Sequence, residues 1–145
     1  MNPSPIVHIG VVVPDLDVAK QQLGAALALT WGAVRHATYG DWELRAVTSY
    51  EGPPYLELQH GSPGSPWDAG GVARLDHLQR WTSGRSSDVT ELSGQGVSLE
   101  IDGDEVGQPF CYLRTSDGIR IELIEDAMKP QFLSIMQIEP GGPRG

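Results

Sequence analysis

At 145 residues and 15.7 kDa the chain has room for one domain, or for two small half-domains sharing a core, and excludes a large multidomain enzyme. Ten Lys+Arg against nineteen Asp+Glu leave a formal charge of −9 and a pI near 4.7, so no basic stripe exists to displace counterions from DNA or RNA. A hydrophobic content of 39% sustains a core, and the single cysteine, Cys111, excludes an internal disulfide and a Cys-rich zinc site, in keeping with a reducing cytoplasm.

The N-terminal segment Met1-Asn2-Pro3-Ser4-Pro5 carries no basic stretch, and the apolar run Ile9 to Val13 is too short to span a bilayer. A soluble, cytoplasmic protein is expected. Ile6 to Val13 is a β-branched run that stops at Pro14, and Asp15 opens a segment from Leu16 to Leu29 with apolar residues at helical spacing. Strand then helix follows. A weak strand near Ala33 to Thr38 and two alternating stretches, Trp42 to Thr48 and Tyr55 to Gln59, complete a β-α-β-β-β order. Gly61-Ser-Pro-Gly-Ser-Pro66 and Gly70-Gly71 then break the pattern, as a linker does. Beyond it, Arg74 to Thr82 reads as a strand and Ser86 to Gly94 as a short helix capped by serine. Val97 to Ile101, Gln108 to Arg114 and Gly118 to Ile124 read as three more strands. The second half repeats the first.

The expected organisation is therefore a first βαβββ module over 1–60, a Pro/Gly linker over 61–71, a second module over 72–126 and a tail over 127–145, together one structural domain. Each half opens on a strand with a histidine, His8 or His77, and closes on an apolar strand around a glutamate, Glu57 or Glu122. The two pairs lie 69 and 65 residues apart, as in one duplicated unit with small loop changes. A generic α+β domain with two similar sheets is the plainer alternative. The tail holds Phe132-Leu-Ser-Ile-Met-Gln-Ile138, an apolar stretch outside the repeat that needs cover from its own module or from a second copy.

Alternation puts His8 on one face with Ile6, Gly10 and Val12, Glu57 with Tyr55 and Gln59, and Glu122 with Arg120 and Ile124. Singly, a strand glutamate reads as the solvent side of an amphipathic sheet and a strand histidine as a hydrogen-bonded filler. Matching places in two repeats give them a second reading. If the halves curl around a shared cleft, two imidazoles and two carboxylates converge, a donor set suited to one divalent transition ion such as Zn, Ni, Co, Fe or Mn. Two positions on an octahedral ion would stay open for water or substrate oxygens. The four tryptophans, Trp31, Trp42, Trp67 and Trp81, read as core, with Trp81 also a candidate wall of the pocket.

The run Ile6-Val-His-Ile-Gly-Val-Val-Val-Pro-Asp-Leu-Asp17, the Tyr55-Leu-Glu-Leu58 strand before the linker, Leu75-Asp-His-Leu78 and Thr115-Ser-Asp-Gly-Ile-Arg-Ile-Glu-Leu-Ile124 together resemble the vicinal oxygen chelate superfamily, over about residues 6–126. That resemblance implies an α+β fold of tandem βαβββ modules forming a curled mixed sheet around a metal cleft, with His8, Glu57, His77 and Glu122 as ligands. The chain is similar to the branch holding methylmalonyl-CoA epimerase and glyoxalase I. The branch implies a metal-dependent isomerase, epimerase or lyase that moves a proton beside a carbonyl or thioester through an enolate stabilised by the metal, and Glu122, helped by Glu43, is the expected proton-transfer group. Glu43 falls where such epimerases carry an acid/base glutamate, while Glu57 stands where they commonly have glutamine, which shifts the pattern toward a glyoxalase I-like lyase acting on a 2-oxoaldehyde thiol adduct. Two other readings are an Fe(II) extradiol dioxygenase, which a fourth ligand at Glu57 would crowd, and a non-catalytic module binding a hydrophobic small molecule. A small-molecule substrate and a homodimer are expected, with neither nucleic acid nor membrane as partner.

Overall fold

Pro14 lacks the N–H that would continue a ladder, so the first strand, β1 (His8–Val12), ends just before it, and Asp15 starts α1 (Leu16–Leu27). The Asp15 carboxylate accepts the Val18 N–H at 3.0 Å, which satisfies one of the helix's free donors. Ala28 closes the helix in the left-handed region, at φ 54°, with its N–H on the Gly24 carbonyl. The computed structural model describes residues 3–106 and 108–135. Three strands complete the first half: β2 (Arg35–Tyr39), β3 (Trp42–Thr48) and β4 (Tyr55–Gly61). The second half runs β5 (Arg74–Thr82), α2 (Arg85–Ser93), β6 (Ser98–Asp102), β7 (Phe110–Arg114) and β8 (Arg120–Glu125), and α3 (Lys129–Ile135) follows.

All strands join one curled 8-stranded sheet in the order β2-β3-β4-β1-β5-β8-β7-β6. The two opening strands meet antiparallel at the centre, β1 on β5, and each lies parallel to the closing strand of its own half, β1 on β4 and β5 on β8. Period-two alternation then divides the side chains between two faces. On the outer face Leu16 of α1 packs with Val13, Val47 and Leu58, while Val89 and Leu92 of α2 pack on Cys111, Leu113 and Leu123. On the inner face Val12, Leu44, Trp67, Trp81, Tyr112 and Ile124 form the cleft wall.

Three features differ from what periodicity leads one to expect. No serine caps α2: Gly84 precedes it, the Gly84 N–H bonds the Thr82 hydroxyl, and that hydroxyl donates to Asp88, so the chain enters the helix one residue early. The Gly/Pro stretch after β4 is more than a connector, because its Trp67 is buried in the cleft wall with its indole N–H on the Tyr112 hydroxyl at 3.2 Å. Part of the apolar tail is covered by its own chain: Phe132 of α3 packs on the cleft cluster, while 136–138 lie outside the described residues. No described helix is long and apolar enough to cross a membrane.

Candidate metal centre

The central strand pair carries the two histidines, and the flanking parallel strands carry the two glutamates. Gly10 faces His77 across the β1–β5 ladder, and His8 faces Gln79. Glu122 on β8 faces Gln79 from the other side, and Glu57 on β4 faces Gly10. Because all of these residues share the inner face, their side chains converge. His8 Nε2 and His77 Nε2 stand 3.0 Å apart. Glu122 Oε1 lies 3.3 Å from His8 Nε2 and 3.9 Å from His77 Nε2, and Glu57 Oε1 lies 3.7 Å from each. All four residues are buried, none more than 5% exposed.

The 3.0 and 3.3 Å separations suit a single cation, since donors about 2.1 Å from one ion sit about 3.0 Å apart across a right angle and about 3.4 Å apart across a tetrahedral one, and those of 3.7–3.9 Å need a wider angle. The donor set itself leads the same way. Glu122 Oε1 is a buried carboxylate oxygen without a hydrogen bond among the described residues, although two imidazoles face it. A buried charged acceptor left in that state is costly, and a shared cation would satisfy it together with the facing nitrogens. His8, His77 and Glu122 each offer one atom within 4.8 Å of the others, an arrangement able to hold a metal ion.

Surrounding groups hold these side chains in place. His77 Nδ1 contacts Asp76 Oδ2 at 3.0 Å, and Asp76 is gripped by both of its oxygens on Arg120, at 2.9 and 3.1 Å. Asp76 reaches His77 because β5 bulges there. The register steps from Gly10 opposite His77 to Val11 opposite Leu75, leaving Asp76 as the extra residue. Burial alone would raise the Asp76 carboxyl, but the His77 hydrogen bond and the Arg120 and Arg74 charges hold it below the usual aspartate range. Burial would lower His77, yet Glu122, Asp76 and Glu57 outweigh it and the imidazole is raised. Glu122 is pushed up by burial and pulled further down by His77, His8 and Tyr112, so it stays below the ordinary glutamate range. Arg35 clamps Glu57 from outside, its guanidinium 3.1 Å from Oε2 and 3.2 Å from the Thr48 hydroxyl.

A cavity of about 250 Å³ opens over this group, with Tyr39, Trp67, Phe110, Tyr112 and Phe132 as aromatic walls and Arg35 and Gln59 as polar ones. Burial and the nearby Glu122 and Glu57 charges push the Tyr39 phenol up to about 12, so it keeps its proton at neutral pH. Cys111 lies on the outer face under α2, and burial pushes its thiol up to about 11, which suits packing rather than nucleophilic chemistry.

The structure thus brings His8, His77 and Glu122 into one group, places Glu57 beside the two imidazoles but outside the set whose donor atoms all lie within 4.8 Å of one another, and leaves Glu43 apart. On β3 the inner positions are Leu44 and Ala46. Glu43 is exposed on the outer face, beside Arg45 and His60 in a separate groove. Asp76, Gly10, Gln79 and Tyr39 are the parts that sequence patterning does not single out. For Asp76 a signal existed in the unusual polarity of Leu75 to Thr82, but strict alternation assigns it to the face opposite His77.

No protein-family model matches the chain, and no curated protein matches it by sequence. Among solved structures it is similar to a mutant 4-hydroxymandelate synthase from Streptomyces coelicolor, with TM-score 0.62, 12% identity, and coverage of 98% of this chain and 49% of that one. The chain thus spans about half the length of that synthase. It is also similar to methylmalonyl-CoA epimerase from Mycobacterium tuberculosis, with TM-score 0.57, 20% identity, and coverage of 91% and 97% of the two chains. For a single-substitution variant of the Streptomyces coelicolor methylmalonyl-CoA epimerase in complex with 2-nitronate-propionyl-CoA the TM-score is 0.61, at 18% identity over 86% and 95%. Two βαβββ halves closing one curled sheet around a cleft give this chain the vicinal oxygen chelate fold.

Proposed function

We propose that the protein is a metal-dependent isomerase, epimerase or lyase that moves a proton at the carbon beside a carbonyl or thioester. The observation that carries this reading is the buried convergence of His8 Nε2, His77 Nε2 and Glu122 Oε1, with Glu57 Oε1 3.7 Å from each imidazole, in an aromatic-walled cleft. His8, His77 and Glu122, with Glu57 beside them, would hold a divalent ion, which would supply Lewis acidity to a carbonyl oxygen and so make the neighbouring C–H more acidic. The two carboxylates are not equivalent. Glu57 is fixed by the Arg35 guanidinium, whereas among the described residues Glu122 has ion-pair contacts to the two imidazoles and none to an arginine or lysine. Glu122 is therefore the carboxylate free to shift and take the proton. Tyr39, protonated at neutral pH, lines the same cavity and offers a hydroxyl to a substrate oxygen. Glu43, on the other face of the sheet, takes no part.

Mild dialysis followed by elemental analysis tests the centre. The expected content is about one divalent ion per chain, lost in a folded His77→Ala, Glu122→Ala double variant. Near-normal content in that variant overturns the site. Solvent deuterium exchange into 2-substituted thioesters and 2-oxoaldehyde thiol adducts, followed by NMR with metal-free protein as control, tests the reaction. Metal-dependent exchange supports it. Its absence across a broad panel, with tight binding of aromatic compounds, makes the protein a binding module.

A further inference from the structure

When both Nε2 atoms serve one cation, each imidazole must carry its hydrogen on Nδ1, and a buried N–H needs an acceptor. For His77 that acceptor is Asp76, 3.0 Å away. For His8 it is missing: His8 is 0% exposed, and its Nδ1 has no hydrogen-bond partner among the described residues. In place of an aspartate the residue before it is Val7, buried in the cleft cluster.

Buried side-chain acceptors left unpaired in the described structure include three around this cleft: Glu122 Oε1, Gln59 Oε1 and Gln79 Oε1. Glu122 Oε1 lies on the Nε2 side of the ring, 3.3 Å from that atom. Gln59 stands opposite Val12, at the far end of β1. Gln79 is the direct cross-strand neighbour of His8, on the same face, and also neighbours Glu122 on β8. It is 0% exposed, and both atoms of its amide are unpaired. Phe132 covers this end of the cleft, stacked on His8 at 6.3 Å and set edgewise on Trp81 at 5.8 Å, so bulk water is a poor substitute for either partner.

We propose that Gln79 is a positioning residue for His8: its amide oxygen accepts the His8 Nδ1–H and thereby fixes the ring with Nε2 as the free donor. Gln79 is to His8 what Asp76 is to His77. The assignment rests on the reading of the site as a metal centre.

Zinc titration of the full chain against a chromogenic chelator, joined to NMR of the histidine ring nitrogens, tests it. Gln79→Leu keeps the bulk and removes the acceptor, and its zinc affinity is expected to fall about 10-fold to 100-fold. Gln79→Glu keeps an acceptor and is expected to stay within about threefold of wild type or to bind tighter. In zinc-loaded wild type, His8 is expected as the Nδ1–H tautomer with a ring proton protected from exchange, and that protection vanishes in Gln79→Leu while that of His77 persists. Wild-type affinity in Gln79→Leu, equal losses in both variants, or an unprotected His8 ring proton in wild type each overturn the assignment. The wild-type spectrum decides even where the leucine variant fails to fold. Failure of wild type to take up zinc is a separate result that removes the metal reading itself.

Discussion

His8 and His77 occupy equivalent places in the two halves, yet the strands around them have diverged in opposite ways. Before His77 stands Asp76, thrown onto the inner face by a bulge, and before His8 stands the apolar Val7. Two residues after His8 comes Gly10, and two residues after His77 comes Gln79. Since β1 and β5 run antiparallel, each histidine looks across at the other half's second residue, so His77 lies over Gly10 and His8 faces Gln79. A Cβ on Gly10 would stand 2.0 Å from His77 Cε1. A duplicated strand thus carries two equivalently placed histidines in unequal surroundings: a carboxylate and a gap for one, a facing buried amide for the other. The helices differ as well. α1 has a side-chain cap and a buried Leu16, while α2 has neither a side-chain cap bond nor a buried residue among those described.

Filling the gap should have the largest effect. Gly10→Ala forces the His77 ring off the strand, and overpacking of this kind costs about 1–3 kcal/mol of stability, with metal uptake abolished. Chemical denaturation and elemental analysis read both consequences, and a variant with wild-type metal content breaks the claim that the halves are fitted to one another. Removing the charge beside His77 should weigh less. Asp76→Asn is expected to weaken metal binding about 10-fold to 100-fold, as loss of an outer carboxylate partner does.

The same variant should change the acid limb of stability. The folded-state Asp76 carboxyl lies below the value of about 3.9 for a free aspartate. Its contribution is therefore fully present above about pH 4 and lost as pH falls through the folded value. Denaturation of metal-free protein between about pH 5 and 2 should show a shallower loss in Asp76→Asn than in wild type. Parallel curves would mean that Arg120 has an equivalent partner without Asp76. The smallest effect belongs to Glu43→Gln, on the outer face: stability should stay within about 0.5 kcal/mol, and metal content and solvent exchange should match wild type. A large drop in exchange with normal folding would return Glu43 to the chemistry.

Much of the architecture is legible in local pattern. The limits read for β3 and β5, Trp42 to Thr48 and Arg74 to Thr82, coincide with those in the structure, because alternation between clear breakers is a signal carried within a few residues. The β-α-β-β-β order and its repetition follow from the same kind of signal. So does the placement of His8, Glu57, His77 and Glu122 on one face of their strands, since the side-chain period of a strand is two. Glu43 marks where that logic needs only to be followed: alternation already opposes it to Leu44, and Leu44 is the inward residue.

The chain alone therefore determined the strands, their faces and the pairing of each histidine with a glutamate within a repeat, because periodicity and spacing are properties of nearby residues. Tertiary structure decided the rest. The bulge that turns Asp76 inward breaks the period instead of following it, and only the β1–β5 register makes it visible. That register also decides that Gly10 serves His77 and Gln79 faces His8, contacts set by which residues of two distant strands come opposite. The burial of Trp67 from a Gly/Pro stretch and the return of Phe132 onto His8 follow from where an uncovered aromatic surface is left once the sheet has curled. Apolar side chains go to such a surface because burying it lowers the free energy, whichever stretch of sequence they come from.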